Sequence, residues 1–150
     1  MGYLYTQIAR FFENVIIETG QHLSISVAGI LFLGFPVSFS LSAYTFTILG
    51  KEGVAIPLAI TVALFFSLIL GVLFALFYRR LSSDGFVVFT LASVLAFDAL
   101  LRSWDSVTGG VLGIAGVPKP ALLSSLLLLV VLQGVIAILF LFFEYLVLKS

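Results

Sequence analysis

Residues 54–78 and 121–143 are runs of 25 and 23 residues without a charged side chain. At about 1.5 Å of rise per residue, a helix of 25 residues is roughly 37 Å long, enough to cross a hydrocarbon core of roughly 30 Å with some tilt. Lys51 and Glu52 flank the first run on one side, and Arg79 and Arg80 on the other. Tyr78 stands beside the arginines, at the depth where aromatic side chains gather at an interface. The rest of the chain cannot compensate with a water-facing surface. Of its 150 residues, 62% are hydrophobic and 9% charged, against about 25% charged in ordinary soluble domains. The chain therefore reads as all-α, a polytopic membrane helix bundle with about four hydrophobic segments.

Two of those segments carry interruptions. Residues 23–50 hold no charge but include Gly29, Gly34 and Pro36, and a proline inside a helix removes one backbone bond and crowds the preceding turn. The segment is read as broken at Pro36, and broken helices of this kind line substrate paths in transporters. Residues 86–101 form a shorter apolar stretch with Asp98 near its end, and Arg102 four positions on shares its helical face. Asp98 and Arg102 are read as a structural ion pair. Residues 102–120 are a polar break rich in glycine and ending Val117-Pro118-Lys119-Pro120, which forbids a regular helix. Trp104 there suits an interfacial anchor.

Residues 1–22 are different. Leu4, Ile8, Phe11, Phe12, Val15 and Ile16 recur at helical spacing, with Arg10, Glu13, Asn14 and Glu18 grouped away from them. This pattern predicts an amphipathic or interfacial helix, or one packed on a partner, and equally suits a first helix of the bundle. It is no secretory signal, because its acidic residues interrupt any clean apolar run. Arg79 and Arg80 place loop 79–85 on the cytoplasmic side, loop 102–120 outside and the C-terminus inside. The side of the N-terminus stays open.

Little chemistry can be assembled from these residues. Seven basic and seven acidic side chains cancel, which argues against nucleic acid as a partner. With no cysteine and one histidine, no ordinary zinc site and no disulfide can form. His22 reads as a satisfied or interfacial histidine, since no serine has nucleophile-elbow spacing. Gly109, Gly110, Gly113 and Gly116 lack the Gly-Lys-Ser/Thr ending of a phosphate loop and read as tight turns at the outer mouth. No catalytic residues, cofactor or metal are expected.

Three stretches carry a family resemblance: Gly29-Ile-Leu-Phe-Leu-Gly-Phe-Pro-Val-Ser-Phe-Ser-Leu-Ser-Ala-Tyr44, then Thr90-Leu91-Ala92 after a short Asp84-Gly85 loop, then Trp104-Asp105-Ser106-Val107-Thr108-Gly109-Gly110 with Gly113-Ile114 and Gly116-Val117-Pro118. In this order and spacing they resemble the M-type permease subunit of branched-chain amino acid ABC importers, and the related urea importer permeases. The resemblance covers about residues 22–150, and its most specific part is the loop of Trp104, Asp105, Thr108, Gly109, Gly110 and Gly113. It implies a subunit of a bacterial or archaeal inner membrane that does no chemistry itself. Its implied partners are a second permease subunit, two cytoplasmic ATPase subunits and a periplasmic amino-acid-binding protein. The chain departs from the family at Phe35, where histidine is usual, at Ser40 and Ser42, where glycine is usual, and at His22, Leu95 and Asp98. In the family a basic cytoplasmic helix follows the equivalent of Lys149-Ser150, so residues 23–150 are expected to be a partial transmembrane domain, about the N-terminal half of a permease.

For transport, the candidates lie around the Pro36 break. The hydroxyls of Ser38, Ser42, Tyr44 and Thr45, with exposed backbone groups, can meet the charged ends of an amino acid, and Phe35 and Phe39 can meet an apolar side chain. The competing expectation is that these hydroxyls bond to their own helix, one turn back. A different class of function is also open: a truncated or stand-alone small membrane protein that scaffolds another complex.

Overall fold

The computed structural model describes residues 2–116 and 125–149. The Val117-Pro118-Lys119-Pro120 end of the loop and the first four residues of the 121–143 run lie outside them. The described residues are helical: α1 (Gly2–Ala28), α2 (Phe35–Lys51), α3 (Ile56–Tyr78), α4 (Ser83–Ser103), a single turn α5 (Asp105–Thr108), a 3-10 turn (Gly110–Leu112) and α6 (Leu126–Lys149). Three of them, α3, α4 and α6, are long and apolar enough to cross a membrane. Their large side chains point outward: Leu64 and Leu68 of α3 and Ile138 of α6 are about two-thirds exposed. Such a surface suits lipid and would be untenable in water.

The chain divides into two compact units, Met1–Leu31 with Lys119–Ser150, and Phe32–Pro118. In the first, α1 packs on α6. Helix α1 runs on past residue 22 to Ala28, without a break at Gly20. Gly29, with φ +64°, then ends it. The two helices run in the same direction. The Phe12 ring lies against Gly134, Gln133 donates to Glu13 at 2.8 Å, and about a turn and a half from the far end His22 meets Glu144.

In the second unit α3 packs on α2. Ala59 and Ala63 are buried, and with Ser67 they form a small-residue stripe at four-residue spacing that lets the two backbones approach. Ser67 donates across to the Ser38 carbonyl at 3.1 Å. Helix α4 starts earlier than expected: Ser82 caps it by accepting from the Gly85 N–H, so Asp84 and Gly85 belong to its first turn rather than to a loop. An acidic first turn also complements the helix dipole. At this end of α3 and α4 the Phe89 ring lies 6.0 Å from Phe74 and 4.8 Å from Phe77, and Tyr78 meets Phe86 edge-on at 5.2 Å.

Gly134 leaves little room: a Cβ there would sit 3.3 Å from Phe12. Gly134→Leu should therefore part α1 from α6, with an overpacking cost of about 1–3 kcal/mol. It is checked by thermal unfolding in detergent. A short thiosulfonate cross-linker between Glu13→Cys and Gln133→Cys gives a second readout, and its yield should fall when Gly134→Leu is added.

A candidate translocation surface on the broken helix

The interruption in the 23–50 segment precedes Pro36. Residues 29–34 are non-helical, and Pro36 sits in the first turn of α2, where a missing N–H leaves nothing unsatisfied. Phe32 anchors the break. Its ring makes an edge contact with Phe74 at 5.2 Å and stacks on Phe86 at 6.1 Å. Gly34 must pass beside that ring, since a Cβ there would come within 2.7 Å of it. The carbonyl of Gly34 then accepts from the Val37 N–H at 3.1 Å and opens α2.

The six residues read from the sequence as a path divide over α2 rather than converging. At about 100° per residue, Phe35, Ser38, Ser42 and Thr45 share the side that meets α3. Pro36 and Tyr44 lie on the other side. The hydroxyls on the first side are engaged locally: Ser42 donates to the Ser38 and Phe39 carbonyls at 2.8 and 3.0 Å, and Thr45 to Leu41 at 2.7 Å. The competing expectation of bonding one turn back is what the geometry holds for these two. On the second side, Pro36, Val37 and Ser40 face Val94, Phe97 and Asp98 of α4 across a cleft of about 290 Å³. Asp98 Oδ2 accepts from Arg102 Nε at 2.8 Å, and both side chains are more than half exposed. An exposed pair of this kind contributes little to stability, on the order of 0.3–0.5 kcal/mol. Tyr44 lines a separate cleft with Ala43, Thr47 and Ile114.

The Trp104 loop is a folded turn. Thr108 is 3% exposed, and its hydroxyl donates to the carbonyls of Leu101 and Trp104 while accepting from the Gly110 N–H at 3.2 Å. A lone hydroxyl proton serves two carbonyls only as a shared bond, so Thr108 ties the last turn of α4 to the glycines. Gly109 has φ +73°, and a Cβ there would meet the Gly113 carbonyl oxygen at 2.3 Å. Gly110 has φ +57°, with the Asp105 carboxylate filling the place of its Cβ. The spacing of Asp105, Thr108, Gly109 and Gly110 is thus accounted for by one turn closing on itself. Asp105, Gly109 and Gly113 also line a more polar cleft of about 450 Å³ with Lys51 and Glu52. Ser67, which reaches across to Ser38, was not marked by the sequence, since a lone serine in an apolar run carries no signal of its own.

With this geometry in place, the chain can be set beside known proteins. Over 109 residues it is 28% identical to the high-affinity branched-chain amino acid transport system permease protein LivM of Escherichia coli (strain K12). It is 29% identical to the same-named protein of Salmonella typhimurium. The chain is a distant, partial relative of LivM. The match covers 72% of this chain but spans only 26% of either relative. No family model matches the chain, and no solved structure matches it.

Gly109→Ala places a methyl against backbone in a conformation costly for any L side chain, and should destabilise the protein by more than about 2 kcal/mol. Gly110→Ala shares the positive φ but meets a movable carboxylate first and backbone only at 3.1 Å, the Arg102 carbonyl, and should lose less. Thr108→Val, near in shape, should lose about 1–3 kcal/mol through its unmet carbonyls and N–H. Melting temperatures of the three variants in one detergent check the ranking.

Proposed function

We propose that this chain is a membrane-spanning part of the permease of an ABC importer, carrying branched-chain amino acids or a similar small polar solute across the inner (plasma) membrane of a bacterium or archaeon. The 109-residue similarity to LivM carries this reading. In it the chain passes the membrane several times and does no chemistry. A second permease subunit completes the path, cytoplasmic ATPase subunits hydrolyse ATP, and a periplasmic amino-acid-binding protein delivers the solute.

The α2 hydroxyls fit one end of such a solute better than the other. Ser42 and Thr45 have spent their protons on their own helix, so only oxygen lone pairs remain to them. They can accept from an ammonium group but cannot donate to a carboxylate. Ser38 and Phe35 stand on the same side of α2. Pro36, with Tyr44 on the opposite side, holds the helix opening beside Asp98. We take the Asp98–Arg102 pair as structural and the Trp104, Asp105, Thr108, Gly109, Gly110 and Gly113 turn as the closure of the outer end.

Two measurements test this. Affinity purification of the tagged protein from its native membranes should recover an ATP-hydrolysing subunit and a second permease. Recovery of neither would contradict the reading. In cells, Ser42→Ala should weaken uptake of radiolabelled leucine about tenfold, the equivalent of one hydrogen bond to a charged group. Unchanged uptake would remove Ser42 from the path.

A further inference from the structure

Helix α1 carries more polar residues than any other long helix of the chain, and its partner is one of the most apolar. Helix α6 is a 24-residue candidate span of mean hydropathy 3.0. A helix lying flat at the interface crosses a spanning helix at one point. Here contact persists from Phe12 against Gly134 and Glu13 against Gln133 to His22 against Glu144. These contacts are separated by about ten residues on each helix, or about 15 Å of shared axis. Gln133 and Glu144 are the polar groups of α6 that α1 meets. Glu144, with a side chain only 13% exposed, is covered by His22, whose other ring nitrogen lies 3.3 Å from the Ser26 hydroxyl. Helix α1 thus lies along α6 and shares its depth.

The face turned away from α6 then matters. The α6-facing side holds Ala9, Phe12 and Thr19, of which Ala9 and Thr19 are buried. About 180° around the helix, every residue between positions 7 and 21 is polar: Gln7, Arg10, Asn14, Glu18 and Gln21. This stripe extends over about 21 Å, most of a roughly 30 Å hydrocarbon core. Arg10 and Glu18 are eight positions apart, about 12 Å along the axis, too far to pair with each other. Among the described residues neither has an ion pair or a side-chain hydrogen bond, whereas Asp98 pairs with Arg102, Glu144 meets His22 and Glu13 accepts from Gln133. A dry contact would need five matched polar partners with two counter-charges, and α6, the helix packed on α1, supplies none, since its Glu144 already meets His22. Lipid is excluded by the cost of facing Arg and Glu into hydrocarbon.

We infer that α1 crosses the membrane alongside α6, in the same direction, and lines an aqueous path with the stripe Gln7–Arg10–Asn14–Glu18–Gln21. The path takes water and small hydrophilic solutes. The inference concerns a surface of α1, apart from α2, and does not depend on which solute the protein carries.

The chain has no cysteine, so single-cysteine variants report without background. In intact cells and inverted vesicles expressing the whole chain, a membrane-impermeant maleimide should label Tyr3→Cys and Val27→Cys from opposite sides. Labelling of both from one side would overturn the crossing. A charged thiosulfonate should modify Asn14→Cys and Glu18→Cys at least about tenfold faster than Leu139→Cys on the outward face of α6, because a thiol in apolar surroundings ionises poorly. Equal, slow modification would mean the stripe is dry and covered by protein, and would overturn the aqueous path. Gln7→Cys and Gln21→Cys repeat the comparison without removing a charge, should either first variant fail to accumulate.

Discussion

Hydrocarbon offers no hydrogen bonds, and the structure follows from where each polar group finds one. A backbone or side-chain polar group left unmatched in lipid costs several kcal/mol. Within the helices the hydroxyls turn back on their own carbonyls, as Thr19 does to Val15 at 2.7 Å, Thr61 to Pro57 at 2.8 Å and Ser93 to Phe89 at 2.8 Å. Between helices a few polar groups meet in pairs. Ser67 reaches the Ser38 carbonyl, Gln133 reaches Glu13, and His22 reaches Glu144. Apolar contact alone discriminates poorly between helix partners in lipid, since tails are as apolar as leucine. These polar contacts, with small residues that allow close approach, fix which faces meet.

The same constraint explains the interruption before α2. Non-helical backbone at membrane depth survives only where protein or water meets it. Residues 29–34 are handled from both sides. The Gly29 N–H donates to Ile25 and the Ile30 N–H to Ser24, while the Ser24 hydroxyl donates to the Ile30 carbonyl. Beyond them Phe32 is held by Phe74 and Phe86, and Gly34 opens the next helix. Helix α2 therefore begins at a defined place, and the direction of its hydroxyl-bearing side follows. At the other end of the unit, the Thr108 turn closes α4 by the same economy: one buried hydroxyl serves two carbonyls and one N–H.

The apolar spans were legible because an uncharged run long enough to cross a bilayer leaves few alternatives, and α3 and α6 fall where the runs lie. The Trp104–Gly110 spacing was legible as a resemblance, though its physical content was not: nothing in the string shows that Thr108 bonds back to Leu101. Pro36 marked the break, yet Gly29 and Gly34 make it, because the proline fits the first turn of the new helix without strain. The end of α4 was readable from Asp98 and Arg102, while its start was misplaced because the Ser82 cap draws Asp84 and Gly85 into the helix. The nature of residues 1–22 was undecidable from sequence for a specific reason. Two of their polar residues, Glu13 and His22, meet Gln133 and Glu144 more than a hundred positions away, and an amphipathic pattern reads the same whether its partner is lipid or another helix.

Everything proposed for α1 requires that α1 and α6 lie side by side in the same direction. The most direct measurement is a set of distances between paired spin labels on the whole protein in lipid nanodiscs. Labels at Leu4→Cys and Leu127→Cys should lie close together, as should labels at Val27→Cys and Leu148→Cys. The crossed combination of Val27→Cys with Leu127→Cys should be longer by about 30 Å, twenty-odd residues of helix. A short Val27–Leu127 distance, or similar distances for all three pairs, would contradict it.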